Sequence, residues 1–200
     1  NYSGSSVSSA GDVNGDGLAD LIIGAPESSF LSNGPGHSYV VFGTTDTTAI
    51  ELSDVAAGSG GFVINGETTS DYSGYSVSSA GDINADGLAD LIIGAIGADT
   101  WSGRSYVVFG TTDTTAIELS DIAAGTGGFI IKGESQYDAS GSSVSSAGDV
   151  NGDGIADLII GATGADPNGE SSGSSYVVFG TTDTTAIELS DVAGGTGGFV

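Results

Sequence analysis

One oxygen-rich string occurs three times in this chain. It reads Asp12-Val13-Asn14-Gly15-Asp16-Gly17-Leu18-Ala19-Asp20 in the first copy and recurs at 82–90 and 149–157. Each copy places Asp, Asn, Asp and Asp at positions 1, 3, 5 and 9, which is the donor set a hard divalent cation needs. Ca²⁺ takes about 6–8 oxygen ligands at about 2.3–2.6 Å. Three carboxylates within nine residues repel one another, and a divalent ion relieves that repulsion. Gly17, Gly87 and Gly154 follow the third donor, where a loop must turn sharply to wrap an ion. In an EF-hand, position 12 must be a bidentate Glu. Here that position is Ile23, Ile93 and Ile160, so an EF-hand is excluded.

The rest of the composition narrows the chemistry. The 200 residues include 26 acidic side chains against two basic ones, Arg104 and Lys132, and the formal net charge is −24. Nucleic acid and anionic membrane surfaces are therefore poor partners, and no nucleic-acid partner is expected. With 38% hydrophobic residues in regular short runs, the acidic balance does not mean disorder. There is no Cys, hence no disulfide and no thiolate metal site. His37 is the single His, and without a Cys or a second base there is no nucleophile–base pair. The chain is therefore read as non-catalytic. No apolar run reaches the roughly 18 residues of a membrane helix, so no membrane insertion is expected. A Ca²⁺ site of modest rigidity is best served outside the cell, where the ion is abundant.

The elements that position these loops also repeat. The string Thr44-Thr45-Asp46-Thr47-Thr48-Ala49-Ile50-Glu51-Leu52-Ser53-Asp54 returns unchanged at 111–121 and 181–191. Three units follow, at 1–67, 68–134 and 135–200, the last one breaking off in its final strand. Each unit reads as four short strands, in the first at about 5–10, 20–25, 38–43 and 62–66. Runs such as Leu21-Ile22-Ile23 and Tyr39-Val40-Val41-Phe42 are β-branched or aromatic and bounded by Gly, which favours buried strands. The segment 50–57 reads equally as a helical turn or a short extra strand. The fold class is all-β, with four-stranded antiparallel blades of a β-propeller, three of them present: a partial propeller, or part of a six- or seven-bladed ring. A parallel solenoid is disfavoured because its turns are much shorter. In antiparallel order the acidic loops share one end of the blades. The opposite end carries the segments that differ between units, at 26–37, 96–104 and 163–174, and is the expected binding face.

These residues resemble the FG-GAP repeat family, the blades of the integrin α-subunit propeller and its bacterial relatives. The resemblance covers all three units and rests on the Asp-x-Asn-x-Asp-Gly-x-Ala-Asp loop, the following Leu-Ile-Ile-Gly-Ala and the Tyr-Val-Val-Phe-Gly strand. The family's Gly-Ala-Pro survives only at Gly24-Ala25-Pro26, and its leading Phe-Gly is replaced by Ser3-Gly4, Ser73-Gly74 and Ser140-Gly141. The resemblance implies about one Ca²⁺ per unit, three in total, held between the first two strands. The implied ligands are Asp12, Asn14, Asp16, the Leu18 carbonyl and Asp20; then Asp82, Asn84, Asp86, the Leu88 carbonyl and Asp90; then Asp149, Asn151, Asp153, the Ile155 carbonyl and Asp157. Ala85 stands where the other copies have Gly, with little effect expected because its side chain is no ligand. Asp138-Ala139-Ser140-Gly141-Ser142 fits an Asp-x-Ser-x-Ser metal pattern that its counterparts do not keep, and is read as an ordinary link between units.

The functional expectation is an extracellular or cell-surface calcium-binding scaffold, bacterial in type, for adhesion to a protein or glycan ligand on the variable-loop face. Trp101 and Arg104, in the variable segment of the second unit, are the candidate partner-binding residues, an aromatic beside a cation. The alternatives are a lectin-like propeller and a purely structural surface or filament repeat. Three blades leave two exposed edges. Self-association of two copies would complete a six-bladed ring; a segment of a longer array is the preferred expectation.

Overall fold

The computed structural model describes residues 2–27 and 34–200. Asn1, with its sequon-like Asn1-Tyr2-Ser3, and residues 28–33 of the first variable segment lie outside the described residues. Blade 1 holds β1 (Ser6–Gly11), β2 (Asp20–Ala25), β3 (His37–Val41), a short helix α1 (Leu52–Ala56) and β4 (Gly61–Asn65). Blade 2 holds β5 (Ser73–Gly81), β6 (Asp90–Ala95), a one-turn segment α2 (Ala98–Trp101), β7 (Arg104–Val108), β8 (Ile117–Glu118), α3 (Leu119–Ala123) and β9 (Gly128–Lys132). Blade 3 repeats the plan with β10 (Ser140–Gly148), β11 (Asp157–Ala162), β12 (Ser174–Val178), β13 (Ile187–Glu188), α4 (Leu189–Ala193) and β14 (Gly198–Phe199).

Within each blade the strands pair antiparallel in sequence order, for example Ile22 opposite Val40 and Val40 opposite Phe62. The expected strands of the first unit coincide with β1 to β4 to within two residues. The ambiguous segment turns out to be both things it resembled. Its Leu-Ser-Asp run forms the helical turn in all three blades. The preceding Ile-Glu pair of blades 2 and 3 is a short strand that leaves its own blade. β8 pairs parallel with β4 of blade 1, and β13 pairs parallel with β9 of blade 2. These additions are fixed by side chains: Asn65 Nδ2 donates to Glu118 Oε1 at 2.6 Å, and Lys132 Nζ lies 2.7 Å from Glu188 Oε1.

The core lies between blades more than within them. One apolar cluster joins Val13, Ile22 and Val40 of blade 1 to Val77, Leu91 and Ile93 of blade 2; the other joins Ile83, Ile92 and Val107 to Val144, Leu158 and Ile160. Fully burying such a side chain is worth about 1.5–3 kcal/mol, so each blade draws much of its stability from its neighbours. The seams are tight because glycine faces backbone there. A Cβ on Gly24 would lie 2.1 Å from the Gly74 carbonyl oxygen, and one on Gly94 would lie 2.1 Å from that of Gly141. Among the described residues, no helix is long and apolar enough to cross a membrane.

Candidate functional site

The three acidic loops join the first two strands of each blade and fold alike. In blade 1, Asp12 takes the backbone N–H groups of Gly15 (2.7 Å) and Asp16 (3.1 Å) on one oxygen and that of Gly17 (2.9 Å) on the other. Asn14 Oδ1 accepts from Asp16 N–H, and its amide donates to Asp16 Oδ2 at 3.1 Å. Leu18 N–H closes the turn on Asp16 Oδ1 at 2.8 Å. The same bonds recur in the loop of Asp149, and all but the one from residue 85 recur in that of Asp82; Leu88 and Ile155 N–H donate to Asp86 and Asp153. Gly17, Gly87 and Gly154 all sit at φ between 86° and 91°, the left-handed turn that their position predicts. Ala85 is forced to φ 60°, where its counterparts Gly15 and Gly152 stand at 76° and 79°.

The ninth-position Asp has a second task that the spacing alone does not reveal. Asp20 is fully buried, and its two oxygens accept Val13 N–H at 2.8 Å and Gly43 N–H at 2.7 Å. Asp90 does the same with Ile83 (2.7 Å) and Gly110 (2.8 Å), and Asp157 with Val150 (2.7 Å) and Gly180 (2.9 Å). Each clamps its loop to the end of the third strand. The invariant Gly after Tyr-Val-Val-Phe was the available signal. Burial raises the carboxyl of Asp20 above its usual range and that of Asp90 to about 6, with the two backbone amides pulling the other way.

Each loop thus gathers three carboxylates and an amide oxygen, and no Lys or Arg is bonded to any of them. As they stand, the side chains do not converge on one point: among the described residues, no three acidic or histidine groups are placed to hold a metal ion. The donor chemistry does fit a hard cation. A carboxylate offers about four lone-pair sites, and the amide bonds at Asp12 and Asp20 leave some of them free.

The opposite end of the blades carries a different feature. Trp101 is 40% exposed and stacks on Tyr72, with ring centroids 5.4 Å apart at 40°. Together with Tyr2, Pro26, Tyr75 and Ile96 they line a cavity of about 350 Å³ between blades 1 and 2. Asp99, Thr100 and Trp101 are left-handed, at φ 51°, 61° and 67°, and so is Tyr72 at 56°. Non-glycine residues there cost about 1–3 kcal/mol each, strain held by the surrounding fold. Arg104 does not stand free beside Trp101. Its guanidinium bonds Asp99 and, at 2.7 Å, Glu67, which also accepts the Tyr106 hydroxyl at 2.7 Å. Sequence reasoning missed Glu67, Asp99 and Tyr72. Only the recurring Gly-Glu at 66–67 and 133–134 hinted at the first; in blade 3 the Tyr176 hydroxyl donates to Glu134 in the same way.

The remaining candidates are structural. His37 Nδ1 lies 3.1 Å from Asn65 Oδ1 across β3 and β4, engaged in the sheet. Asp138 accepts Ser135 N–H at 3.0 Å within the link between blades 2 and 3.

Comparison with known proteins agrees with this architecture. The FG-GAP repeat profile matches residues 3–41, 73–108 and 140–178, one match per blade. The chain is similar to integrin alpha-5 of Xenopus laevis, 31% identical over 166 residues, covering 82% of this chain and 15% of that protein. It is similar to integrin alpha-4 of Xenopus laevis, 31% identical over 163 residues, covering 80% and 14%. It is also similar to phosphatidylinositol-glycan-specific phospholipase D of Bos taurus, 30% identical over 177 residues, covering 81% and 19%. The chain therefore spans less than a fifth of the length of each of these relatives.

Proposed function

Since the chain belongs to the FG-GAP repeat family, we propose that it is a calcium-stabilised extracellular scaffold that presents a ligand-binding face for adhesion, without catalysis. The observation that carries the calcium reading is the threefold recurrence of one hydrogen-bonded loop holding three carboxylates and no cationic partner. Asp12, Asn14, Asp16 and Asp20, with the Leu18 carbonyl, would hold the ion in blade 1; 82–90 and 149–157 supply the matching sets. The bound ion would supply the positive charge that the loop lacks. The protein's part is positional: Asp12 fixes the turn through backbone amides, and Asp20 anchors it to Gly43. Kinship with integrin alpha subunits favours adhesion, with a protein ligand on the variable-loop face. Titration calorimetry tests the metal reading. About three Ca²⁺ per chain are expected for the parent and none after Asp16→Ala, Asp86→Ala and Asp153→Ala together. A parent that takes up no Ca²⁺, or a triple variant that binds as the parent does, overturns it.

A second reading is carbohydrate recognition, favoured by the Tyr72–Trp101 stack at the mouth of an aromatic cavity. Arg104, consumed by Glu67 and Asp99, holds the turn and is not a ligand contact in this reading. On a glycan array, signal that disappears with Trp101→Ala supports it. No signal, or one indifferent to that substitution, removes it and leaves the protein-ligand reading.

A further inference from the structure

We propose that an acidic pocket of blade 3, lined by Glu134, Asp138, Asp166 and Tyr176, takes the guanidinium of an arginine side chain on a protein partner. The chain carries its own template for this contact one blade earlier. Register sets Ala95 opposite Arg104 and Ile93 opposite Tyr106 in blade 2, and Ala162 opposite Ser174 and Ile160 opposite Tyr176 in blade 3. Ser174 therefore stands where blade 2 has Arg104. The acidic surroundings of Arg104 are all kept: Glu67 recurs as Glu134, Asp71 as Asp138 and Asp99 as Asp166. In blade 2 the guanidinium forks onto both oxygens of Asp99 and reaches Glu67 at 2.7 Å, where the Tyr106 hydroxyl also donates. In blade 3 the Tyr176 hydroxyl keeps its bond to Glu134, at 2.9 Å, and the guanidinium is replaced by a serine.

That replacement leaves both room and unbalanced charge. The three carboxylates, Ser174 and Tyr176 line a cavity of about 360 Å³ that shares no residue with the Tyr72–Trp101 cavity. Asp138 is only 8% exposed; one oxygen accepts Ser135 N–H, and the other takes no hydrogen bond among the described residues. Asp166 gives one oxygen to Ser171 N–H and keeps the other. Burial raises the Asp138 carboxyl above its usual range, and Glu134 and Asp166 add to it, whereas its counterpart Asp71 has Arg104 pulling the other way. Three carboxylates around one cavity oppose their own ionisation until a cation enters. The two cations of the chain are engaged elsewhere, Arg104 with Asp99 and Glu67, and Lys132 with Glu188. An incoming side chain must supply the charge. Arginine suits the set better than lysine, because its planar fork reaches two carboxylates at once, as Arg104 does in blade 2. The net charge of −24 draws a basic segment toward this face. The pocket lies at the variable-loop end, so the proposal rests on the reading of that end as the ligand face and names what it recognises there. It makes no use of the acidic loops at the other end.

Nuclear magnetic resonance titration of the chain in excess Ca²⁺ tests this, with N-acetylarginine methylamide as probe and its lysine and citrulline analogues beside it. Citrulline keeps the shape of arginine and lacks its charge. The arginine probe should shift amides of 134–138 and 164–176 saturably, binding at least about tenfold more tightly than the citrulline probe. Ser174→Arg rebuilds the blade 2 arrangement, so it should raise the melting temperature and abolish the shifts. Glu134→Gln with Asp166→Asn should abolish them by removing the charge, and its own melting curve shows whether it is folded. Equal binding of the citrulline probe overturns the proposal, as does binding that survives in Ser174→Arg or in the folded double variant. Shifts of the same amides on adding Ca²⁺, with no response to the arginine probe, would make the pocket a metal site and overturn it too. Calcium counting on the triple loop variant is read separately, so either claim can fail alone.

Discussion

Replacing Gly94 by Ala tests the claim that the blades are held by glycine-mediated seams. Its backbone is ordinary strand, so alanine introduces no torsional strain. The added Cβ would lie 2.1 Å from the Gly141 carbonyl oxygen, 2.5 Å from Ser76 Oγ and 2.9 Å from the Gly141 carbonyl carbon. Backbone on the far side cannot rotate away, so blades 2 and 3 must part by about 1 Å. That overpacking costs about 1–3 kcal/mol. Parting also stretches the bond from Ser76 Oγ to the Gly141 carbonyl, now 2.7 Å, worth about 0.5–1.5 kcal/mol. Against this, Ala reduces the entropy of the unfolded chain by about 0.4–1 kcal/mol. Mid-range values give a net loss of about 2 kcal/mol, or about 4–8 °C in melting temperature for a chain of this size. The assay is thermal and urea unfolding of the parent, Gly94→Ala and Gly161→Ala in chelator at low protein concentration. Gly161 is the equivalent glycine of blade 3, and the atoms nearest a Cβ there are Ser142 and Ser143 at 3.6 Å, so its variant should match or slightly exceed the parent. Equal effects at the two positions would refute the seam argument.

Three further outcomes follow from other residues. Burial raises the Asp71 carboxyl to about 6, against a usual value of 3.8, only partly offset by Thr68 N–H and Arg104. The native state therefore holds this proton more tightly, and the group's contribution to stability, present below about pH 4, is lost as pH rises through 6, on the order of 3 kcal/mol. Asp71→Asn should stabilise the protein at pH 7.5 and flatten the pH 4–7 dependence of urea unfolding; an unchanged slope would contradict this. Ala85→Gly relieves an alanine at φ 60° and should raise stability by about 0.5–1 kcal/mol after the entropic cost of glycine, with a decrease counting against it. Tyr106→Phe removes the buried hydroxyl bond to Glu67 and should cost about 1 kcal/mol in urea midpoint analysis, while a neutral result would mean that Arg104 alone satisfies Glu67.

Much of the blade was legible because its signals are local. Alternation, β-branching and bounding glycines marked the strands, and the acidic string marked the loop between the first two. What stayed hidden depends on partners distant in sequence. The Ile-Glu pair at 117–118 could be read as a short strand, but nothing local says that its pairing partner, Ile64-Asn65, belongs to the preceding blade. Asp20, Asp90 and Asp157 looked like loop donors only; their bonds to Gly43, Gly110 and Gly180 span about twenty residues of intervening chain. Arg104 looked exposed because its segment is variable, but Asp99 and Glu67 draw it in. The glycines of Leu-Ile-Ile-Gly-Ala read as strand ends, whereas their task is set by the neighbouring blade.

The central claim is that the three acidic loops bind Ca²⁺ and that this binding holds the blades folded. The most direct measurement is a thermal melt in excess Ca²⁺ against excess chelator, with bound ions counted alongside. At Ca²⁺ concentrations about 100 times Kd each site adds about 2.7 kcal/mol, or about 5–10 °C per site. With three sites the total is about 8 kcal/mol, so the account expects a shift of about 15–30 °C carried by about three ions per chain. Identical melting curves with no bound ion would contradict it, leaving the loops as hydrogen-bonded acidic turns.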